Sequence, residues 1–506
     1  MKKPKGIVAA GHEVTAAAAA EMLEDGGNAF DAVVAGLFTA CVPEVVLSSP
    51  GGGGFLMAHV AAKNSNILYD FFAETPRVKR PESEIDFRAI EADFGPATQE
   101  FHIGAGSAAT PGFVPGLSII HQDLCRLPWV RLLEPAVEAA RSGVEMTEFH
   151  AYLFTVIAPI LRASDAATRT FAPVDDLLKA GEIFRNEALA DAFDAMANED
   201  ARLFTEGEVG RAMVRQSEEQ GGHLSMDDLA KYEVIRRQPI VQSYKKSKLF
   251  LNPPPAASGP LIAFGLALAD KLAAHHSIDP VGLTDVMRQT NEARANLGDD
   301  AEKLTDDATI TSYFKALAGT HLVTRGTTHI SAIDADGNAA AATISNGEGN
   351  GLMVDGCGFM LNNMLGEEDL NPAGFHSWPQ GERLSSMMAP TLIEEQNGTI
   401  TAMGSGGSNR IRTAILQVAL NLLERGMSLE DAVYAPRIHL EKCGTLSMED
   451  DFAEQERQAI MTAFPEAKVW PERNMFFGGV HTARRTASGQ FEGAGDARRG
   501  GVVIAV

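Results

Sequence analysis

The sequence has few of the residues that build disulfide frameworks or structural metal sites. It contains four cysteines, which are widely spaced and form no C-x-x-C motif: Cys41, Cys125, Cys357 and Cys443. No His/Cys ligand spacing accompanies them, so we expect neither a zinc site nor a disulfide framework, and no other metal or organic cofactor is implied.

Long apolar runs are also missing, and none approaches the ~18 residues that a membrane helix needs. Near the amino end, lysines precede an apolar run from Ile7 to Ala10, but His12 and Glu13 interrupt it. No clean hydrophobic segment forms, so we expect no signal peptide and a cytoplasmic protein.

Positive charge is scarce relative to negative charge. The chain has 43 basic and 67 acidic residues, which gives a formal net charge of -24. The average surface therefore repels polyanions, and nucleic acid and anionic membranes are poor candidate partners.

The rest of the composition is that of a folded protein with a sizeable core: 506 residues, 45% of them apolar and 22% charged. Alanine-rich residues 14–23 predict a first helix that ends at a glycine pair. Asn28 looks like the cap of a second, buried helix at residues 29–41. Most of residues 128–297 also read as helical.

Beyond Thr327 the pattern changes to strands. Residues 328–333 and 339–344 alternate in the manner of strands, and the turn-forming residues 334–338 between them predict a hairpin. Further strands are predicted at 392–393, 399–403 and 501–506, with a helix at 411–425. Helices first and strands later, without a repeating βαβ unit, favour a layered α+β architecture.

A glycine-rich turn, residues 404–410, lies between a predicted strand and a predicted helix. Glycines there let the backbone approach a ligand, and amide groups at a helix start stabilise negative charge, which suits an oxyanion hole. For a glycine cluster taken alone, a plain tight turn is the stronger interpretation. No lysine follows in the phosphate-loop pattern, which makes a phosphate site a poor alternative.

Two segments that carry hydroxyl groups can likewise be interpreted either as functional or as purely structural. Thr327 follows Gly326 directly before the hairpin, although a threonine pair at a strand start usually reflects β-propensity alone. His329 is more often a packed strand residue than a catalytic base. Ser385 and Ser386 could clamp a carboxylate, or they could form a solvated turn.

Taken together, these segments resemble the gamma-glutamyltranspeptidase family, and the resemblance extends over nearly the whole chain. The matching segments occur in the family's order: Val8 to His12, Gly26 to Ala32, Pro50 to Phe55, Thr110 to Gly112, Pro253 to Pro255, Thr327 to His329, Asp336 to Asn338, Leu361 to Asn363, Leu384 to Met387 and Gly404 to Gly407.

The resemblance implies an αββα fold made as an inactive precursor. Cleavage between Gly326 and Thr327 would leave a helix-rich large subunit, residues 1–326, and a small subunit, residues 327–506. Thr327 would then be the nucleophile, and its new α-amino group, with a reference pKa of about 7.7 to 8.0, would be the base. An acyl-enzyme ester would be resolved by water or by an acceptor amine.

By position, Gly406 and Gly407 match the family's oxyanion hole, and Ser345 stands where a threonine usually hydrogen-bonds the nucleophile. Ser385 and Ser386 match the residues that hold the substrate α-carboxylate. Further residues that the resemblance assigns to substrate binding are Asn346, Glu367 and one of two arginines, Arg80 or Arg77.

The chain departs from the family where Phe72, Ala73 and Met364 replace an arginine, a glutamate and a glutamine. The stretch from Asp369 to Arg383 is also shorter than the loop that covers the pocket in many members. An open pocket admits water, so we expect hydrolysis of small γ-glutamyl amides to be favoured over transpeptidation. The alternatives are an acylase for another acyl group on the same fold and an unprocessed, non-catalytic binding protein.

Overall fold

The structure of the chain is a computed structural model that describes residues 4–93, 98–274, 278–297, 327–371, 374–441 and 443–506. Gly326 and the bond that the resemblance marks for cleavage lie outside these residues. Thr327 is the first residue described after that gap.

Two antiparallel sheets form the centre of the fold. In the described part of the chain, the larger sheet has seven strands, in the spatial order β20 (Val502–Ala505), β1 (Gly6–Ala10), β11 (Thr328–Asp334), β12 (Ala339–Ser345), β2 (Gly53–Val60), β3 (Ser65–Phe71) and β8 (Ile235–Arg237). The predicted hairpin is confirmed as β11 and β12, with Asp334 accepting from the backbone and side-chain amides of Asn338 across the turn.

The second sheet packs face to face on the first. Its six described strands are, in spatial order, β19 (Phe491–Ala494), β18 (Gly479–Arg485), β14 (Ile400–Gly406), β13 (Thr391–Glu395), β10 (Ser247–Leu251) and β9 (Ile240–Tyr244). Strands β11 and β12 contact β14 across the interface. Every residue of β11 and β12 is buried, because one face meets the second sheet and the other meets helices.

Helices cover both outer faces, which confirms the αββα arrangement. The large sheet is covered by α1 (Glu13–Glu24), α2 (Ala29–Ala40) and α3 (Phe113–Leu124). On the second sheet lie α12 (Ser258–Ala273) and α14 (Arg410–Leu423), with α13 (Pro280–Leu297) packed against α12. Asn28 caps α2 through a capping box with Asp31, as its position predicts.

The remaining helices and strands form the scaffold around these four layers. The helices are α4 (Trp129–Ser142), α5 (Glu148–Val156), α6 (Ala158–Leu161), α7 (Asp165–Phe171), α8 (Glu187–Glu199), α9 (Arg202–Thr205), α10 (Glu208–Glu219), α11 (Met226–Ala230), α15 (Leu429–Tyr434) and α16 (Glu454–Ala463). The short strands are β4 (Arg88–Asp93), β5 (Thr98–Ile103), β6 (Val144–Glu145), β7 (Ile183–Phe184), β15 (Ile438–Leu440), β16 (Leu446–Glu449) and β17 (Lys468–Trp470). In the described ranges, no helix combines the length and the apolar character that crossing a membrane requires.

The large sheet interleaves strands from both sides of position 326. Strand β11 lies between β1 and β12, and β12 in turn pairs with β2. The two segments divided at residue 326 are therefore not separate bodies, because each supplies strands to the same sheets. This arrangement places the start of β11, and Thr327 before it, in the middle of the fold.

Candidate active site

Thr327 lies directly before β11 and faces the space between the two sheets. The pairing of Thr328 with Ile344 places Thr327 opposite Ser345, one step further along the same ladder. Side chains of directly opposed residues in an antiparallel pair lie about 4.5 to 5.5 Å apart at Cβ. Both side chains line one cleft, so the structure brings the expected nucleophile and its hydroxyl neighbour together.

The glycine-rich turn reaches the same residue from the second sheet. Gly406 ends β14, and a Cβ built on it would lie 2.1 Å from the carbonyl oxygen of Thr327, so only glycine fits there. Gly407 follows with φ of +118°, a region that favours glycine. Helix α14 begins at Arg410, and the positive end of its dipole lies at this turn. The turn can therefore stabilise negative charge beside Thr327.

A buried arginine lies behind this turn. The Arg499 guanidinium donates from Nη1 to the carbonyl oxygen of Thr327 at 3.3 Å and from Nη2 to that of Met475 at 3.4 Å. Burial lowers the pKa of Arg499 to about 10, which leaves the group charged at neutral pH. Thr327 thus sits beside a fixed positive charge that the sequence pattern did not indicate.

On the opposite face of β11, a buried carboxyl group holds the next residue. Glu44 accepts hydrogen bonds from the hydroxyl groups of Thr328 and of Thr15 on α1. Burial is the largest influence on this carboxyl group and raises its pKa to about 7, although the two hydrogen bonds act in the other direction. Glu44 therefore connects helices α1 and α2 to the start of β11.

His329 is a packed strand residue. Its ring nitrogens contact the hydroxyl groups of Thr343 at 2.8 Å and Ser331 at 2.9 Å, and its ring fills the space over Gly404. Burial holds the pKa of His329 well below its ordinary value. Both nitrogens have partners in the sheets, so the geometry gives this histidine a structural part.

The two serines of the predicted carboxylate clamp are placed differently. Ser386 is buried and lines the cleft with Thr327. The hydroxyl group of Ser385 instead donates to the carbonyl oxygen of Pro255 at 2.9 Å. Neighbouring side chains in an extended segment point in opposite directions, so only one of the two faces the cleft.

The same alternation separates Asn346 from Ser345. Ser345 lines the Thr327 cleft, whereas Asn346 lines a second small cavity with Cys41, Ser49 and Glu348. The substrate contact expected for Asn346 is therefore not supported by its position, since one residue along a strand is enough to turn a side chain to the other face.

Neither candidate arginine reaches the cleft. The backbone of Arg77 is tied to Asp228, and its guanidinium donates to the carbonyl oxygen of Lys231. The backbone of Arg80 is tied to His223, and its guanidinium donates to the carbonyl oxygen of Glu218. The structure thus gives both side chains partners away from the cleft lining, and the assignment of a carboxylate-binding arginine stays a prediction.

Most of the remaining wall residues were left unassigned by the sequence patterns or named only as departures from the family. Phe72, which follows β3, is 2% exposed and stands in the wall. Glu367, which the resemblance assigns to substrate binding, also lines the cleft. The other wall residues are Met364, Leu370, Met387, Met388, Ser408 and Ile411. Within the described ranges, no group of three or more His, Cys, Asp or Glu side chains is arranged to hold a metal ion.

Comparison with known proteins gives consistent matches over the chain. A family model described as gamma-glutamyltranspeptidase matches residues 15–506. A glutathione hydrolase proenzyme of Pseudomonas aeruginosa is 29% identical, over 86% of this chain and 82% of that one. The acylase ACY 1 proenzyme of Pseudomonas sp. strain SE83 is 27% identical over 100% of this chain and 95% of that one. The crystal structure of a cephalosporin acylase from Bacillus halodurans superposes with a TM-score of 0.85 at 21% identity, over 99% of this chain and 96% of that one, which shows a shared fold.

The raised pKa of Glu44 predicts a specific pH dependence of stability. Its folded-state pKa of about 7 exceeds the ordinary value of 4.5, so the native state binds the proton more tightly than the unfolded state. This contribution is fully present below pH 4.5 and is lost as the pH rises through 7. Relative to wild type, Glu44→Gln should therefore gain roughly 2 to 3 kcal/mol of unfolding free energy between pH 5 and pH 8.5, at ~1.4 kcal/mol per pH unit.

Urea unfolding at the two pH values measures this difference. Glu13→Gln, on the exposed side of α1, is the matched control and should follow wild type at both. A Glu44→Gln curve that parallels wild type across the pH range would show that the carboxyl group does not titrate in this window.

Proposed function

This chain belongs to the gamma-glutamyltranspeptidase family, and from that premise we propose that it is an amidohydrolase whose nucleophile is the hydroxyl group of Thr327. One observation carries the proposal: Thr327 lines the cleft at the start of a central strand, opposite Ser345 and against the glycine turn at Gly406. A nucleophile, a neighbouring hydroxyl group and a site for an oxyanion thereby meet at one point.

Activation begins with the peptide bond between Gly326 and Thr327. The Thr327 hydroxyl attacks the Gly326 carbonyl carbon, the C–N bond breaks as the α-amine leaves, and water hydrolyses the resulting ester. The freed α-amino group then takes the proton of the same hydroxyl when it attacks a substrate amide. Its reference pKa is about 7.7 to 8.0, and the positive charge of Arg499 beside the Thr327 carbonyl group favours the neutral form that acts as base.

The tetrahedral intermediate places negative charge on the former carbonyl oxygen. We assign the stabilisation of that charge to backbone amides around Gly406 and Gly407, at the positive end of α14. Collapse expels the amine, protonated by the Thr327 amino group, and leaves an acyl ester on Thr327. Water then attacks the ester, and the acid and the free hydroxyl group are released.

Two related activities, γ-glutamyl hydrolysis and the acylase reaction, differ in the acyl group that the enzyme transfers to water. Similar proteins include a glutathione hydrolase and an acylase, so membership of the family leaves both activities open. None of the described residues that line the cleft is a cation that could pair with a glutamyl carboxylate. This observation favours an acylase; Glu367 and Ser386, which could meet an ammonium group and a carboxylate, favour γ-glutamyl amides as the second candidate.

Intact mass tests the first step. Under denaturing conditions, wild type should give two fragments, residues 1–326 and residues 327–506. Thr327→Ala should remain one 53.9 kDa chain without amidase activity. Thr327→Ser keeps a hydroxyl group at the same place and should still be cut. A full-length wild type without turnover would favour the non-catalytic binding protein.

Gly406 tests the oxyanion assignment. An alanine Cβ at this position would overlap the Thr327 carbonyl oxygen and displace the nucleophile, so kcat should fall by about 10² to 10³. Gly282→Ala on α13 is the matched control, since a Cβ there meets no atom closer than 3.1 Å. Equal rates for the Gly406→Ala and Gly282→Ala enzymes would count against a role of this turn in catalysis.

Hydrolysis and transpeptidation are separated by acceptor titration. We expect glycylglycine to raise the release of the leaving amine by less than about twofold, because the short segment from Asp369 to Arg383 leaves the ester open to water. Leaving-group release is measured with an amide that the enzyme turns over, at increasing acceptor concentration. A strong, saturable rise would reverse the expectation.

A further inference from the structure

The wall of the Thr327 cleft is mostly apolar. The described lining borders a cleft of about 370 Å³ that is partly open to solvent. Six of its members are large apolar side chains: Phe72, Met364, Leu370, Met387, Met388 and Ile411. These side chains come from segments on both sides of residue 326, and such a surface binds an apolar group by removing it from water.

The described wall contains one acidic side chain, Glu367, and no basic one. Glu367 is 4% exposed. Its Oε1 lies beside Gly347, 2.3 Å from the position that a Cβ on that glycine would occupy. The other polar members carry hydroxyl groups: Thr327, Ser345, Ser386 and Ser408. A carboxylate on the acyl group would lose its hydration among apolar side chains and lie near a second carboxylate.

Two buried arginines of the surrounding structure already have other partners. The Arg383 guanidinium, which is 5% exposed, pairs with Glu74 at 3.1 Å and with Asp70 at 3.6 Å. Arg499 donates to the backbone oxygens of Thr327 and Met475 behind the glycine turn. In the described ranges, these two cations are bound by the protein itself, and neither belongs to the cleft wall.

We propose that the acyl group accepted by this site is a short, uncharged apolar chain, and that Glu367 acts against acyl groups ending in a carboxylate. This assignment rests on the proposed function and specifies its substrate class. Methionine side chains form half of the six apolar wall residues, and their flexibility lets the wall adapt to chains of different shape. The hydroxyl groups remain near the reacting amide.

Four anilides of similar length test the assignment: hexanoyl, glutaryl, 5-aminopentanoyl and γ-glutamyl p-nitroanilide. The first is neutral, the second anionic, the third cationic and the fourth zwitterionic. For processed wild type, kcat/KM for the hexanoyl anilide should exceed that for the glutaryl and γ-glutamyl anilides by at least about tenfold. It should also exceed the value for the 5-aminopentanoyl anilide.

Phe72 provides the variant that changes charge at the wall. Phe72→Arg should raise the glutaryl to hexanoyl ratio of kcat/KM by at least about tenfold, because it adds a cation beside the acyl chain. Phe72→Leu, which removes the ring without adding charge, should leave that ratio close to the wild-type value. Glu367→Gln should raise the same ratio, since it removes the repulsion. Intact mass shows whether each variant is processed, so a folding defect is separated from a change in preference.

Three results would overturn the assignment. A wild-type preference for the glutaryl or γ-glutamyl anilide would show that the cleft accepts carboxylates. A preference for the 5-aminopentanoyl anilide would show that Glu367 recruits an ammonium group. A processed enzyme that cleaves none of the four would overturn the proposed amidohydrolase function itself, and with it the acyl class.

Discussion

The start of strand β11 is held on both faces by buried ionisable groups. On the helix side, Glu44 accepts from the hydroxyl group of Thr328; on the other, Arg499 donates to the carbonyl oxygen of Thr327. Gly406 packs against the Thr327 carbonyl group so closely that a Cβ on residue 406 would overlap it. A nucleophile gains most when its position is fixed before substrate arrives. Every role assigned to the cleft depends on this fixed backbone.

Neither Glu44 nor Arg499 could be identified from the sequence as a partner of this strand start, because each is separated from Thr327 by more than 170 residues along the chain. Local signals were more informative. The glycines after α1 predict the end of that helix, the cap at Asn28 predicts α2, and the turn at Asp334 predicts the β11–β12 hairpin. Each of these signals depends only on neighbouring residues. The expectation of helices first and strands later misses β1 and β3, which belong to the same sheet as β11.

The same contrast applies within the cleft. The family resemblance placed Ser345 and Ser386 in the site, yet it also named Asn346 and Ser385, which point elsewhere because side chains alternate along extended chain. The assignment of Arg77 or Arg80 rests on their position shortly after Phe72 in the sequence. Hydrogen bonds to Asp228 and His223 draw their backbone outward after β3, and a tertiary contact of this kind leaves no local signature.

The interleaved sheets explain how one peptide bond could be cut without loss of the fold. Strand β11 is bonded along its length to β1 and β12, so a break before Thr327 removes no strand pairing. The cleft wall combines Phe72 from before the break with Met364 and Ser386 from after it. Separation of the two pieces would expose both apolar cores and dismantle the wall together. In a chain cleaved before Thr327, the proposed acyl selectivity and the association of the two pieces would depend on the same buried surface.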